Sequence, residues 1–219
     1  AVVADTIAMT GAAVGIHCHD DTGCAVANTM AAVDAGAGHA QGTVHGYGER
    51  CGNAHLLTVI ANLVLKRGLE VIPLERLADL EPTGRAIARI TGIPGAQAAP
   101  YVGASAFTHK AGLHVSAIAK RKDAYEHVDP ELVGNGTRFV VSEMAGRATI
   151  KLKAEEIGLD MDGAAVNQVI DDLKRLEHEG YHFEAADASL ELLMRRADGW
   201  EHEFFRVESM RVITDELPN

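Results

Sequence analysis

The sequence predicts a parallel α/β segment followed by a mostly helical region, α/β and then α+β in class. Between Val14 and Lys66, a short apolar strand, an amphipathic helix, a second strand and a second helix follow in turn. That alternation favours parallel pairing of the strands. Beyond Gly68 the pattern turns helical, with two clear amphipathic stretches towards the C-terminal end. The composition, 47% hydrophobic and 23% charged over 219 residues, is that of a globular protein with one large or two small domains.

Each element has its own signal. The chain opens on Ala1-Val2-Val3, inside a helical stretch and without an initiator Met, as expected of a piece of a longer protein. Val14 to Cys18 reads as a buried strand. Asp20 and Asp21 offer capping oxygens to the helix that follows. Val26, Met30 and Val33, at i, i+4 and i+7, mark that helix's apolar face. Gly36 stands where a helix-ending glycine belongs. A second strand runs near His39 to Val44, then a glycine-rich loop from Gly46 to Gly52, then a helix from about Asn53 to Lys66 closed by Gly68. Two such units cannot close an eight-stranded barrel. If they belong to one, its other strands lie upstream of Ala1. Ile72 to Ile93 is helical in composition, with Pro82 suited to a first turn. Pro94 to Tyr101 is a connector, and Gly103 to Gly136 reads as mixed and loop-rich. Val166, Val169, Ile170, Leu173 and Leu176 predict one helix; Ala186, Leu190, Leu193, Met194 and Ala197 predict another. Phe204 to Thr214 reads as a strand.

Several function classes are excluded at this level. A net charge of -11 argues against a nucleic-acid surface. No apolar run reaches the roughly 18 residues of a membrane-spanning helix, and no basic-then-apolar leader is present. Cys18, Cys24 and Cys51 cannot all pair and none lies in a CxxC, which points to reduced thiols in a cytoplasmic protein.

The residues with chemistry fall in clusters. In a strand, His17 and His19 project to one face and Cys18 to the other. Two imidazoles side by side at the C-terminal end of a strand can begin a divalent metal site. Equally, they can be hydrogen-bonded histidines of a polar rim. After the next strand comes Gly48-Glu49-Arg50-Cys51-Gly52-Asn53-Ala54. Adjacent parallel strands set their C-terminal loops side by side, so Asn53 can offer an oxygen near the two histidines. By itself it can instead cap the following helix. Each cluster alone is ambiguous; the two in this order are specific.

The run His17-Cys18-His19-Asp20-Asp21-Thr22-Gly23 resembles the HxH-[N/D]-D-x-G signature of the isopropylmalate synthase and HMG-CoA lyase superfamily, with Asp20 where Asn is commoner. Gly48 to Ala54 resembles that family's GERxGNA. Ser105-Ala106-Phe107-Thr108-His109-Lys110-Ala111-Gly112-Leu113-His114 resembles the synthases' SAF-x-H-K-x-G-x-H. Tyr125-Glu126-His127-Val128-Asp129-Pro130-Glu131-Leu132-Val133-Gly134 resembles their Y-E-x-[IV]-x-P-E-x-[VI]-G. These last two are features of the synthases and not of the lyases. Leu176 to Ser189, with Ser142 to Arg147, resembles the citramalate branch of the isopropylmalate, homocitrate and citramalate synthase family.

The resemblance implies the C-terminal part of a TIM (β/α)8 barrel followed by a mostly helical linker region. Residues 1–70 would be its last two βα units, 71–202 helical linker subdomains, and 203–219 the first strand of a truncated regulatory domain. It implies His17, His19 and Asn53 as ligands of a divalent metal ion, with imidazoles plus oxygens tilting towards Zn or Mn over Mg. It implies His114 and Tyr125 as catalytic residues, supplied to the partner subunit of a homodimer. Both suit proton transfer or polarisation of a thioester carbonyl. His109 is expected to be a packed or capping histidine, and Lys120-Arg121-Lys122 a solvated basic turn, with contact to CoA phosphates as its alternative. The implied reaction is a Claisen-type condensation of acetyl-CoA with a 2-oxo acid, pyruvate for this branch. The Asp, Arg and Glu that the family supplies from earlier barrel strands would lie upstream of Ala1, so the 219 residues alone are expected to lack turnover. A sibling synthase with a larger 2-oxo acid is the nearest alternative, and a non-catalytic metal-binding or dimerisation module is the alternative of another class.

Overall fold

In the computed structural model the described residues are 1–219 apart from 111, 143–144, 185, 203–205, 213 and 215–219. The chain forms two units, Ala1–Val140 and Val141–Asn219, each with its own core.

The first unit begins with helix α1 (Val2–Thr10), closed by Gly11 in the left-handed region. Strand β1 (Gly15–His17), helix α2 (Ala25–Asp34) and strand β2 (His39–Gln41) then form a βαβ unit. The strands pair in parallel, with Gly15 opposite His39 and His17 opposite Gln41. The expected alternation is therefore real, though each strand is shorter than its apolar run. A two-stranded sheet is all that these residues build; no closed barrel is present among them. Gly36, at φ 103°, follows the end of α2 as expected.

Helix α3 (Leu56–Arg67) starts three residues later than the sequence suggests and ends on Gly68, at φ 66°. Its cap is His55, whose ring Nδ1 accepts from the Thr58 amide at 3.2 Å. Ala25, Met30, Val59 and Leu63 bury the α2–α3 contact, with Cys18 packed at its edge. Helix α4 (Leu80–Thr91) carries Pro82 in its first turn, where the missing N–H costs nothing.

The region read as connector and loops is more ordered than its composition implies. Leu57 and Ala61 of α3 share one core with Leu77, Leu80, Tyr101, Phe107 and Val133. Residues 71–140 thus pack into the first unit, which ends at Val140. Strand β3 (Thr108–His109) pairs in parallel with strand β4 (Arg138–Phe139). Between them lies helix α5 (Gly112–Lys120), which the sequence did not announce.

The second unit is a helical cluster. Helices α6 (Arg147–Glu156), α7 (Gly163–His178) and α8 (Asp187–Ala197) enclose Ile150, Val166, Val169, Leu173, Leu190 and Met194. The two predicted amphipathic helices are α7 and α8. Asp162 caps α7 by accepting from the Ala165 amide at 2.7 Å. Glu143 and Met144 of the 142–147 run, Ala185 of the 176–189 run, and Phe204, Phe205 and Ile213 of the expected strand lie outside the described residues. Residues 206–212 carry no assigned strand.

Candidate metal centre

The pleat of β1 sorts the first cluster as expected. His17 and His19 are exposed, while Cys18 is half-buried against the α2–α3 core. The two imidazoles stand edge to face, their ring centres 5.1 Å apart. The loop after β2 folds back onto this segment. His19 and Asn53 form an antiparallel bridge, with the Ala54 amide donating to Cys18 O at 3.0 Å and the Asp20 amide donating to Gly52 O at 2.9 Å. Three residues singled out from the sequence are therefore neighbours along adjacent backbones.

Asn53 is held from its nitrogen end. Its Nδ2 donates to Tyr47 O at 2.8 Å, which fixes the orientation of the carboxamide. Its Oδ1 is buried and has no partner. An unsatisfied buried acceptor costs about 1–3 kcal/mol, a cost that a bound cation removes. The glycines make this arrangement possible. A Cβ on Gly48 would lie 2.4 Å from Asn53 Nδ2, and one on Gly52 would lie 2.0 Å from Gly46 O. Gly52 also adopts φ 85°, which glycine tolerates without penalty.

A further pair that sequence reading missed joins the two loops. Arg50 donates from Nε to Asp21 Oδ1 at 2.7 Å and from Nη2 to Asp21 Oδ2 at 3.0 Å, a two-pronged ion pair. Arg50 itself sits at φ 55°. Hydrogen bonding to Arg50 holds the Asp21 carboxyl below the usual carboxylate range. Asp21 was expected to cap α2. The N-cap is Cys24 instead, and Asp20 Oδ1 accepts from the Ala25 amide at the first position of the helix, at 2.8 Å. The two acidic residues are split between a helix and a loop clip.

Next to the site, His45 and His55 line a cleft of ≈ 840 Å³ together with Asn53, Tyr101 and Lys66. His45 hydrogen-bonds Gly84 O through Nε2 at 2.8 Å and leaves Nδ1 buried and unpaired. Burial, reinforced by nearby His45, pushes the His55 imidazole below its ordinary pKa.

The second group of candidates forms its own pair. His114, at the start of α5, lies 4.1 Å from Tyr125, measured between ring centres, and Tyr125 is 45% exposed. Among the described residues no hydrogen bond or ring contact joins this pair to His17, His19 or Asn53. The predicted residues thus fall into two contacting sets, His17, His19 and Asn53 in one and His114 and Tyr125 in the other. His109 is largely buried, as expected, its side chain 12% exposed beside the Glu126 carboxylate. Arg121 of the basic turn is paired with Asp123 at 2.5 Å on the surface.

The donor set suits a hard or borderline divalent cation: two imidazoles and a carboxamide oxygen. It is a partial set. Among the described residues no group of three or more His, Cys, Asp or Glu side chains is placed to hold a metal ion. The three cysteines are unpaired thiols. No helix among the described residues is long and apolar enough to cross a membrane.

Comparison with known proteins places the chain among its relatives. A family model described as HMGL-like matches residues 1–83, and a second, described as homocitrate synthase post-HMGL domain-like, matches residues 101–181. The (R)-citramalate synthase of Streptomyces coelicolor is 54% identical over 100% of this chain and 42% of its own length. That of Synechocystis sp. is 50% identical over 93% of this chain and 38% of its own, and that of Aquifex aeolicus 48% identical over 91% and 38%. The chain spans about two fifths of the length of these relatives. With both segments matched in order and this chain aligned along its whole length to a synthase 54% identical to it, the chain belongs to the isopropylmalate, homocitrate and citramalate synthase family.

Proposed function

We propose that the protein of which these residues are part condenses acetyl-CoA with pyruvate, in a Claisen-type reaction, to give (R)-citramalate and CoA. Its setting would be cytoplasmic branched-chain amino-acid biosynthesis. One observation carries the choice of reaction: the three relatives that share 48–54% identity with this chain are all (R)-citramalate synthases. On this reading residues 1–70 are the C-terminal part of a TIM barrel whose remaining strands precede Ala1, and residues 71–202 are the helical linker region.

His17, His19 and Asn53 would hold a divalent cation, Zn, Mn or Mg. The partnerless Oδ1 of Asn53 beside His19 supports the assignment. When bound, such a cation supplies Lewis-acid polarisation of a 2-oxo group. The protein's own side chains then have separable tasks. The Asp21–Arg50 pair keeps the His19 and Asn53 loops in register. His114 and Tyr125 donate to, or take protons from, the thioester side of the reaction. They would be delivered to a partner subunit in a homodimer, as the family resemblance implies.

The test is CoA-thiol release by the full-length protein with acetyl-CoA, a divalent cation and each 2-oxo acid in turn. Release with pyruvate alone is expected. Release only with a larger 2-oxo acid would assign the chain to a sibling synthase. No release with any 2-oxo acid would leave a binding module. The 219-residue chain alone is expected to release none.

A further inference from the structure

Beneath the His114–Tyr125 pair lies a buried polar group that the reading above does not use. Glu126 follows Tyr125 in the chain but points inward, its side chain 2% exposed. One oxygen, Oε1, accepts from Thr137 Oγ1 at 2.6 Å. The other, Oε2, is buried and has no partner. His109 Nε2, also buried and without a hydrogen bond, stands 3.4 Å from Glu126 Oε1. The parallel pairing of β3 with β4 holds His109 opposite Phe139, and the two rings lie 6.3 Å apart. On its other side the His109 ring meets His114 edge to face at 6.4 Å.

We propose that Glu126 is the positioning residue of the His114–Tyr125 pair, acting in two directions. Through space it orients His109, which packs against His114. Through the backbone its burial fixes the adjoining Tyr125, which faces outward. A glutamine would satisfy Thr137 and fill the same volume, so shape and that hydrogen bond do not require a charge here. A buried carboxylate with a single hydroxyl donor is under-satisfied, its second oxygen having no partner. The only imidazole placed beside it in the described structure is His109. The charge therefore serves the histidine, in the manner of the carboxylates that orient functional imidazoles elsewhere.

The inference rests on the proposed condensation, and the experiment separates the two. In the full-length protein, Glu126→Gln is expected to lower kcat about 10- to 100-fold, with KM for both substrates within about twofold of wild type. His109→Gln should show the same split between kcat and KM, and the double variant should be no slower than the slower single one, because both lesions break one link. If Glu126→Gln does not fold, His109→Gln carries the test alone. Wild-type kcat in either folded variant, or losses that multiply in the double variant, overturns the positioning role and leaves the condensation standing. A wild-type protein that releases no CoA overturns both.

Discussion

The two units of the chain spend their stability differently. In the first, buried polar atoms without partners accumulate: His45 Nδ1, Asn53 Oδ1, His55 Nε2, His109 Nε2 and Glu126 Oε2. In the second the only such atom among the described residues is Thr149 Oγ1. Backbone strain divides in the same way. His45, Arg50 and Tyr101, the non-glycine residues with positive φ among the described residues, all belong to the first unit. The second unit is mostly aliphatic side chains between three helices, one of which, α7, is capped by Asp162. Local conflict concentrates where groups must meet a ligand, and consistent packing supports it elsewhere.

This contrast can be broken by substitution. The largest effect is expected at the histidines. His19→Ala in the full-length protein should lower CoA release by more than about 100-fold, exceeding the loss usual for residues that only support a ligand. Bound metal, measured by elemental analysis, should fall with it. Retention of both metal and rate would detach His19 from the site.

A smaller effect, of opposite sign in the two units, is expected for one chemical change made twice. Gly52→Ala places a methyl group against Gly46 O in a left-handed backbone, and should cost about 1–3 kcal/mol in denaturant unfolding. Gly163→Ala, at the first position of α7 with nothing within 4 Å of the added carbon, should stabilise by about 0.4–1 kcal/mol. Equal responses would erase the distinction between strained and relaxed units.

The smallest effect concerns pH. Burial, with nearby His45 adding to it, lowers the His55 pKa from its ordinary 6.5. Between the lowered folded value and 6.5 the unfolded chain binds the proton that the folded chain refuses. Stability from His55 is thus intact above about pH 6.5 and is lost as pH falls through that value towards the folded one. Protonation also removes the ring lone pair that caps α3. Unfolding midpoints should fall between pH 7.5 and 5.5 in the wild type and less in His55→Asn, which keeps a capping oxygen. An unchanged slope in the variant would assign the sensitivity to another group.

How much of this was legible in the sequence depends on range. His17 and His19 could be paired because strand alternation is a local rule, and Asn53 could be added because parallel strands bring their loops together. The helices α7 and α8 declared themselves by periodicity. The Asp21–Arg50 clip did not, because it joins residues 29 apart through geometry that no local pattern encodes. The β3–β4 pairing was illegible for a related reason. Two-residue strands have no period to read, and without that pairing nothing sets His109 beside Glu126. Helix α5 hid in a stretch whose glycine and histidine content suggests loop.

The Asp21–Arg50 clip has a consequence for how the molecule opens. The crossover from β1 through α2 to β2 is fastened at one end by parallel strand pairing and at the other by the guanidinium fork. It is a closed ring without a covalent link. A ring of this kind does not fray from one side. Its amides should exchange with solvent as one cooperative foldon, and in Asp21→Asn the loop amides near Gly52 should exchange ahead of those in α2.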